Sequence, residues 1–175
     1  MHNTWTAAQA LAQALRRAPS LSLARGLYHA ALRIYLDRFL NIPAARLPDE
    51  RRASPNGVVA PEHVLELLDR EQQVAPAAIL VDELLARGQS AAVIRVLGHA
   101  VFREDADFHA YQTLEAGVRQ FRALASTHPL AARRTLVSIT RYVAAHAPTP
   151  RAQYQTYHIA ERLLRGEDLT VAAED

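Results

Sequence analysis

The sequence predicts an all-α fold, a compact bundle of about eight helices built from α-hairpins. Three observations carry this expectation. Apolar residues recur at helical spacing, as Val64, Leu67 and Leu68 do in "EHVLELLDREQQ", with charged residues on the other face. Prolines stand where first helical turns are expected, at Pro61, Pro76, Pro129 and Pro150, because a missing N–H costs nothing there. Strand signals do not recur along the chain.

The helices are expected in order at 5–17, 21–42, 61–73, 76–87, 90–103, 107–126, 130–146 and 150–165. Ser20, Ser90 and Thr149 stand where an N-cap oxygen is wanted, each contributing about 1 kcal/mol. Gly88 suits the left-handed residue that closes a helix. The stretch "AAILVDELLARGQSAAVIRVLGHAVF" therefore reads as helix, turn and helix, an antiparallel α-hairpin. No motif returns at a fixed period, which favours a compact bundle over a repeat stack. Residues 43–60, "PAARLPDERRASPNGVVA", are rich in Pro, Arg and small polar residues and read as a mobile surface loop. The acidic tail after Glu167 reads as frayed. The whole chain, 1–175, is expected to be a single helical domain.

Composition excludes several chemistries. The chain has no cysteine, so it holds no disulfide, thiolate zinc site, cysteine nucleophile or iron–sulfur cluster of its own. All twenty basic residues are Arg, and the net charge is only +2. Arg keeps its proton to high pH, so the basic pI needs no basic patch behind it, and no nucleic-acid partner is expected. No run of about 18 apolar residues exists, so no membrane span is expected. The first 36 residues lack any acid and carry Arg16, Arg17, Arg25 and Arg33, a composition shared with organelle-targeting segments. The preferred reading is an Ala-rich first helix in a cytoplasmic protein. Dinucleotide, Walker and Gly-x-Ser-x-Gly motifs are missing.

Two places carry polar groups of interest. In the helix 21–42, Leu27, Tyr28, Leu32, Ile34, Tyr35, Leu36, Phe39 and Leu40 cover nearly the whole circumference, the pattern of a central helix. Arg25, His29, Arg33 and Asp37 form one narrow polar stripe along it, facing solvent, another polar helix or a cavity. The second place is "GHAVFREDADFHAYQTLE", residues 98–115, where His99 and His109 flank Glu104, Asp105 and Asp107. The acids read chiefly as a turn and a helix start, with Asp107 as cap. The alternative is a metal site. His99, His109 and Asp105, with His158 and Glu161 from "YHIAER", would then supply imidazole and carboxylate ligands for iron or zinc.

The blocks "YLDRFLNIPAARLP" (35–48), "LLDREQQVAPAA" (67–78), "GHAVFREDADFHAYQTLEAGVRQF" (98–121) and "RYVAAHAPTPRAQYQTYHIAERLLRGE" (141–167) together resemble the helical region of bacterial Rieske [2Fe–2S] domain proteins. A more distant similarity is to questin-oxidase-like helical proteins. The resemblance spans most of 20–167 and implies a link to redox chemistry, with a redox protein as partner. A Rieske centre needs two Cys and two His, so this chain can correspond only to the helical part. The resemblance assigns no role to any residue here.

Three functions therefore compete. The first is a non-catalytic binding or accessory module beside redox chemistry. The second is a metal- or haem-dependent oxidoreductase with a cavity lined by His and carboxylates. The third is a helical-repeat-like interaction scaffold.

Overall fold

Small side chains at helix crossings decide which helix lies innermost. The computed structural model describes residues 2–37, 39, 48 and 59–167, and in these the chain is an all-α bundle. Its helices are α1 (His2–Arg17), α2 (Leu21–Asp37), α3 (His63–Leu68), α4 (Val74–Ala86), α5 (Ser90–Arg103), α6 (Phe108–Leu124), α7 (Pro129–Ala145) and α8 (Ala152–Leu164). No strand occurs among the described residues.

The axis of the bundle is α7. It buries Ala132, Leu136, Val137, Ile139, Thr140, Val143 and Ala144. Helices α4 and α6 pack most extensively against it. Ala77, Ala78, Val81 and Leu84 of α4 complete one side of the core, and Val93, Leu97 and Ala100 of α5 extend it. On the other side the approach of α6 depends on Gly117. A Cβ there would lie 2.6 Å from Ile139 Cγ1 and nearer still to Cδ1, and 3.0 Å from the Trp5 ring. Glycine is what allows α6, α7 and α1 to meet. Helix α1 rests on α6 and carries α2 on its outer side.

The expectation that helix 21–42 is central is corrected by this arrangement. Within α2, Asp37 is the buried residue, whereas Tyr28, Ile34 and Leu32 are 80%, 61% and 56% exposed. An apolar circumference marks a helix that can be buried, not one that finds partners on every side. Helix α3 is also shorter than expected. It ends at Leu68, and Gln72 adopts a left-handed conformation with φ of 60° before α4 begins.

Several helix ends follow the sequence. Ser20 Oγ accepts the Leu23 N–H at 3.2 Å, and Asp107 Oδ1 accepts the Ala110 N–H at 3.1 Å. Gly88, with φ of 76°, closes α4: its N–H donates to Leu85 and the Gln89 N–H donates to Leu84, both at 3.0 Å. Pro129 is the first residue of α7. Pro61 and Pro150 instead lie before their helices, and Pro76 is the third residue of α4. Ser90 opens α5 without capping it, since Gln89 holds the cap position. The loop 43–60, apart from residues 48, 59 and 60, and the tail after Glu167 lie outside the described residues. No described helix is long and apolar enough to cross a membrane.

Candidate functional site

The acidic turn 104–107 is a clasp between distant segments. Glu104, 5% exposed, follows α5 in extended backbone. Its Oε2 accepts the Thr149 N–H at 2.7 Å and the Thr149 hydroxyl at 2.8 Å, and its Oε1 accepts Arg151 Nε at 3.0 Å. Thr149 Oγ1 accepts the Asp105 N–H in return, at 2.8 Å. Thr149 is therefore not the cap of α8. That role falls to Asp105, whose oxygens accept the N–H groups of Ala152 at 3.0 Å and Gln153 at 2.9 Å. Arg151, in the left-handed conformation at the start of α8, offers no cap of its own. Asp69 at the end of α3 joins the cluster, 2.8 Å from Arg103 and 2.5 Å from Arg151.

The charges follow from these contacts. Burial pushes the Glu104 carboxyl up, but the hydrogen bonds from Arg151 and Thr149 outweigh it and hold the group below its ordinary value. Asp105 is lowered by the N–H of Gln153 and then that of Ala152. In Asp69, burial again raises and Arg151 and Arg103 together lower, with a net fall. Carboxylates fixed and ionised in this way hold segments together. They are poorly placed to take up a proton or exchange ligands.

The histidines do not complete a centre. Among the described residues no group of three or more His, Asp and Glu stands close enough together to hold a metal ion. His99 is exposed on α5. His109 is half-buried on α6, its ring against Phe108 with centroids 3.9 Å apart. His158 lies 3.6 Å from Glu161 on α8, a helix with no buried residue, and Glu161 is also bonded to Arg165. Asp105 is engaged by α8. These five residues are thus spread over three helices and a turn.

The polar stripe of α2 faces water for most of its length. Arg25, His29 and Arg33 are exposed. Only its last member turns inward: Asp37, 3% exposed, accepts the Thr4 hydroxyl at 2.5 Å and lies 3.3 Å from Arg33 Nε. This end of the stripe ties α2 to α1.

A broad concavity lies elsewhere, against α7. It encloses about 800 Å³ between α1, α6 and α7. Trp5, Leu130 and Ile139 supply apolar wall, and Thr113, Arg134 and Tyr142 supply polar groups. Among the described residues no carboxylate lines it. Tyr142 has its hydroxyl pKa raised, by burial first and by the charge of Asp107 second. Thr113 is 3% exposed, and its hydroxyl has no hydrogen-bond partner among the described residues. Other helical hydroxyls behave differently: Thr135, Ser138, Thr140 and Thr156 each donate to the carbonyl four residues back. A buried hydroxyl left without a partner costs about 1–3 kcal/mol, so its position on a cavity wall is informative.

Compared with family models, with curated proteins and with solved structures, the chain finds no match. The groove must be read from its own chemistry. Apart from Pro129, which reads as a helix start, its lining residues carry no mark of their own in the sequence. A glycine inside "TLEAGVRQF" was the available signal, since glycine in a helix interior marks close approach of another element.

Proposed function

We propose that the protein is a non-catalytic binding module whose ligand lies in the groove between α1, α6 and α7. One observation carries the reading: a concavity of about 800 Å³ with mainly apolar walls and a few convergent polar groups, the construction usual for small-molecule sites. Among the described residues the walls hold no carboxylate, and their imidazole, His128, stands at the start of α7, roughly three helical turns from Ser138, which favours binding over turnover. The resemblance to the helical region of Rieske-domain proteins supports a place beside redox chemistry. With no cysteine in the chain, that place is to hold a ligand for a redox partner, not to carry the cluster.

Trp5 is the only tryptophan of the chain and lines the groove, so it reports directly on occupancy. The neutral dye N-phenyl-1-naphthylamine is expected to bind saturably at one molecule per chain and to quench Trp5 by energy transfer. Ala131→Trp, which fills the groove from α7, is expected to abolish that binding while leaving the circular dichroism unchanged. Unsaturable binding, or saturable binding indifferent to Ala131→Trp in a folded protein, would refute the assignment.

A further inference from the structure

Helix α2 carries a surface that the groove does not use. Gly26 and Asp37 fix which side of it meets α1. A Cβ on Gly26 would lie 2.9 Å from both methyl carbons of Leu11, and Asp37 accepts the Thr4 hydroxyl. The two residues are eleven apart, close to three whole turns, so they share one side of the helix. Half a turn away runs an apolar seam: Leu21, Tyr28 and Tyr35 at intervals of seven, joined by Leu32 and Phe39. All are exposed, from 51% for Tyr35 to 80% for Tyr28. The rings of Tyr35 and Phe39 meet edge to face with centroids 5.7 Å apart, so the seam continues past the end of α2. Among the described helices α2 packs substantially on α1 alone.

Area and pattern together say what covers the seam. At about 200 Å² per aromatic side chain and slightly less per leucine, it exposes roughly 600–700 Å². That is more than the roughly 300–600 Å² of the largest patch on a typical monomer. It approaches the roughly 800 Å² that each partner contributes to a stable interface. Ala24 and Ala31, also seven apart, alternate with the large residues, giving the order Leu21, Ala24, Tyr28, Ala31, Tyr35. Run backwards, this order complements itself. A second copy of α2 lying antiparallel sets Tyr28 against Ala31 of the second copy and Tyr35 against Ala24 of the second copy, and a twofold axis repeats both contacts. Parallel copies would set tyrosine on tyrosine and leave gaps at the alanines. A lipid surface would use the apolar bulk but has no need of the alternation.

Charge selects the same direction. Residues 1–36 hold no acid, and the exposed Arg25 flanks the seam. In parallel copies Arg25 would stand beside its own mate. In the antiparallel register it is level with position 34 of the second copy. The two arginines are then roughly 13 Å apart along the axis, beyond the ~8 Å screening length at physiological salt. We infer that the protein self-associates through α2, as an antiparallel twofold dimer in which each tyrosine of the seam packs on an alanine of the other copy. None of the residues lining the α7 groove belongs to α2, so the two surfaces can be tested separately.

The test is sedimentation equilibrium across roughly 1–100 µM chain. The wild type is expected to reach twice the chain mass. Ala31→Glu puts a charge in the middle of the seam and is expected to raise the dimer dissociation constant at least about a hundredfold, with unchanged circular dichroism. Ile34→Ser, exposed a third of a turn from the seam, is expected to leave the dimer intact. The chain has no cysteine, so introduced ones report the direction of the helices. Ala24→Cys mixed with Tyr35→Cys is expected to cross-link into mixed dimers with a short bis-maleimide, whereas Ala24→Cys alone stays uncoupled. A monomer throughout the range would overturn the dimer, and protection of 21–37 from exchange gained on anionic vesicles would then assign the seam to lipid. A dimer that survives Ala31→Glu would place the contact elsewhere. Self-coupled Ala24→Cys dimers would overturn the antiparallel arrangement.

Discussion

Helices α2 and α7 have the same length, 17 residues each, and opposite fates. By composition α2 is the more hydrophobic: it displays Leu27, Tyr28, Leu32, Ile34, Tyr35 and Leu36 around its surface, yet all six are exposed. Helix α7 carries Arg133, Arg134 and Arg141 among Ala, Thr and Ser, yet it is the innermost element. Helix α2 also approaches a neighbour closely, at Gly26 against Leu11 of α1, but among the described helices it packs substantially on that helix alone, whereas α7 packs against α4, α5 and α6. Ala132, Thr140 and Ala144 let α7 sit close to its neighbours, and Gly117 does the same from α6. Its arginines are carried to the margins, where Arg133 forms a two-pronged pair with Asp82 of α4. Bulk hydrophobicity supplies the energy of burial, but close packing on several sides decides who receives it.

The comparison is broken most easily at its strongest point. Leu136 is fully buried on α7, so Leu136→Ala is expected to cost about 2–5 kcal/mol, read from urea unfolding. A loss below about 1 kcal/mol would mean that α7 is not the axis. Next in size is Gly117→Ala, which drives a methyl group into Ile139 and is expected to cost about 1–3 kcal/mol. Its companion effect separates packing from simple instability: Trp5 emission should shift, because the same contact includes the Trp5 ring.

How much of this could be read from the sequence varies with distance along the chain. Local signals were legible: the α4–α5 hairpin, the left-handed Gly88, the caps at Ser20 and Asp107. Reading "REDAD" as a turn and helix start was right for Asp107. It could not reach Glu104 and Asp105, whose partners Thr149, Arg151, Ala152 and Gln153 lie 45–48 residues away. A pattern of acids says that partners are needed, not which ones. The groove was illegible for the same reason. Trp5, Thr113 and Ile139 come from three helices, and none of them stands out in its own segment.

The clasp gives the comparison a pH dimension, because it anchors α8 and leaves α2 untouched. Glu104 is held below its ordinary value of 4.5 in the folded protein. The unfolded chain therefore binds more protons in the window beneath 4.5. The clasp's contribution is complete above that pH and is lost as pH falls through the lowered folded value. Asp69 and Asp105, also lowered, act with the same sign. The melting temperature is expected to fall on acidification below pH 4.5, and more shallowly in Glu104→Gln. Identical slopes in the two proteins would remove Glu104 from the account.

The smallest effects belong to α2 itself. Asp37→Ala leaves the Thr4 hydroxyl without its acceptor, at about 1–3 kcal/mol. It falls short of the cost of breaking a buried pair because Arg33 is 60% exposed and keeps its water. Ile34→Ser, on the exposed apolar face, is expected to change stability by no more than about 0.5 kcal/mol. Matched thermal melts of the two variants would sharpen the contrast. If Ile34→Ser proves the costlier, α2 is buried in solution by something the helices described here do not provide.

Hydrogen exchange followed by mass spectrometry, with and without saturating N-phenyl-1-naphthylamine, tests most directly whether the functional wall is α7 or the exposed face of α2. Ligand is expected to slow exchange in the first turns of α7 and around Thr113 on α6, leaving residues 21–37 unchanged. Protection confined to 21–37, with α7 unaffected, would contradict the account.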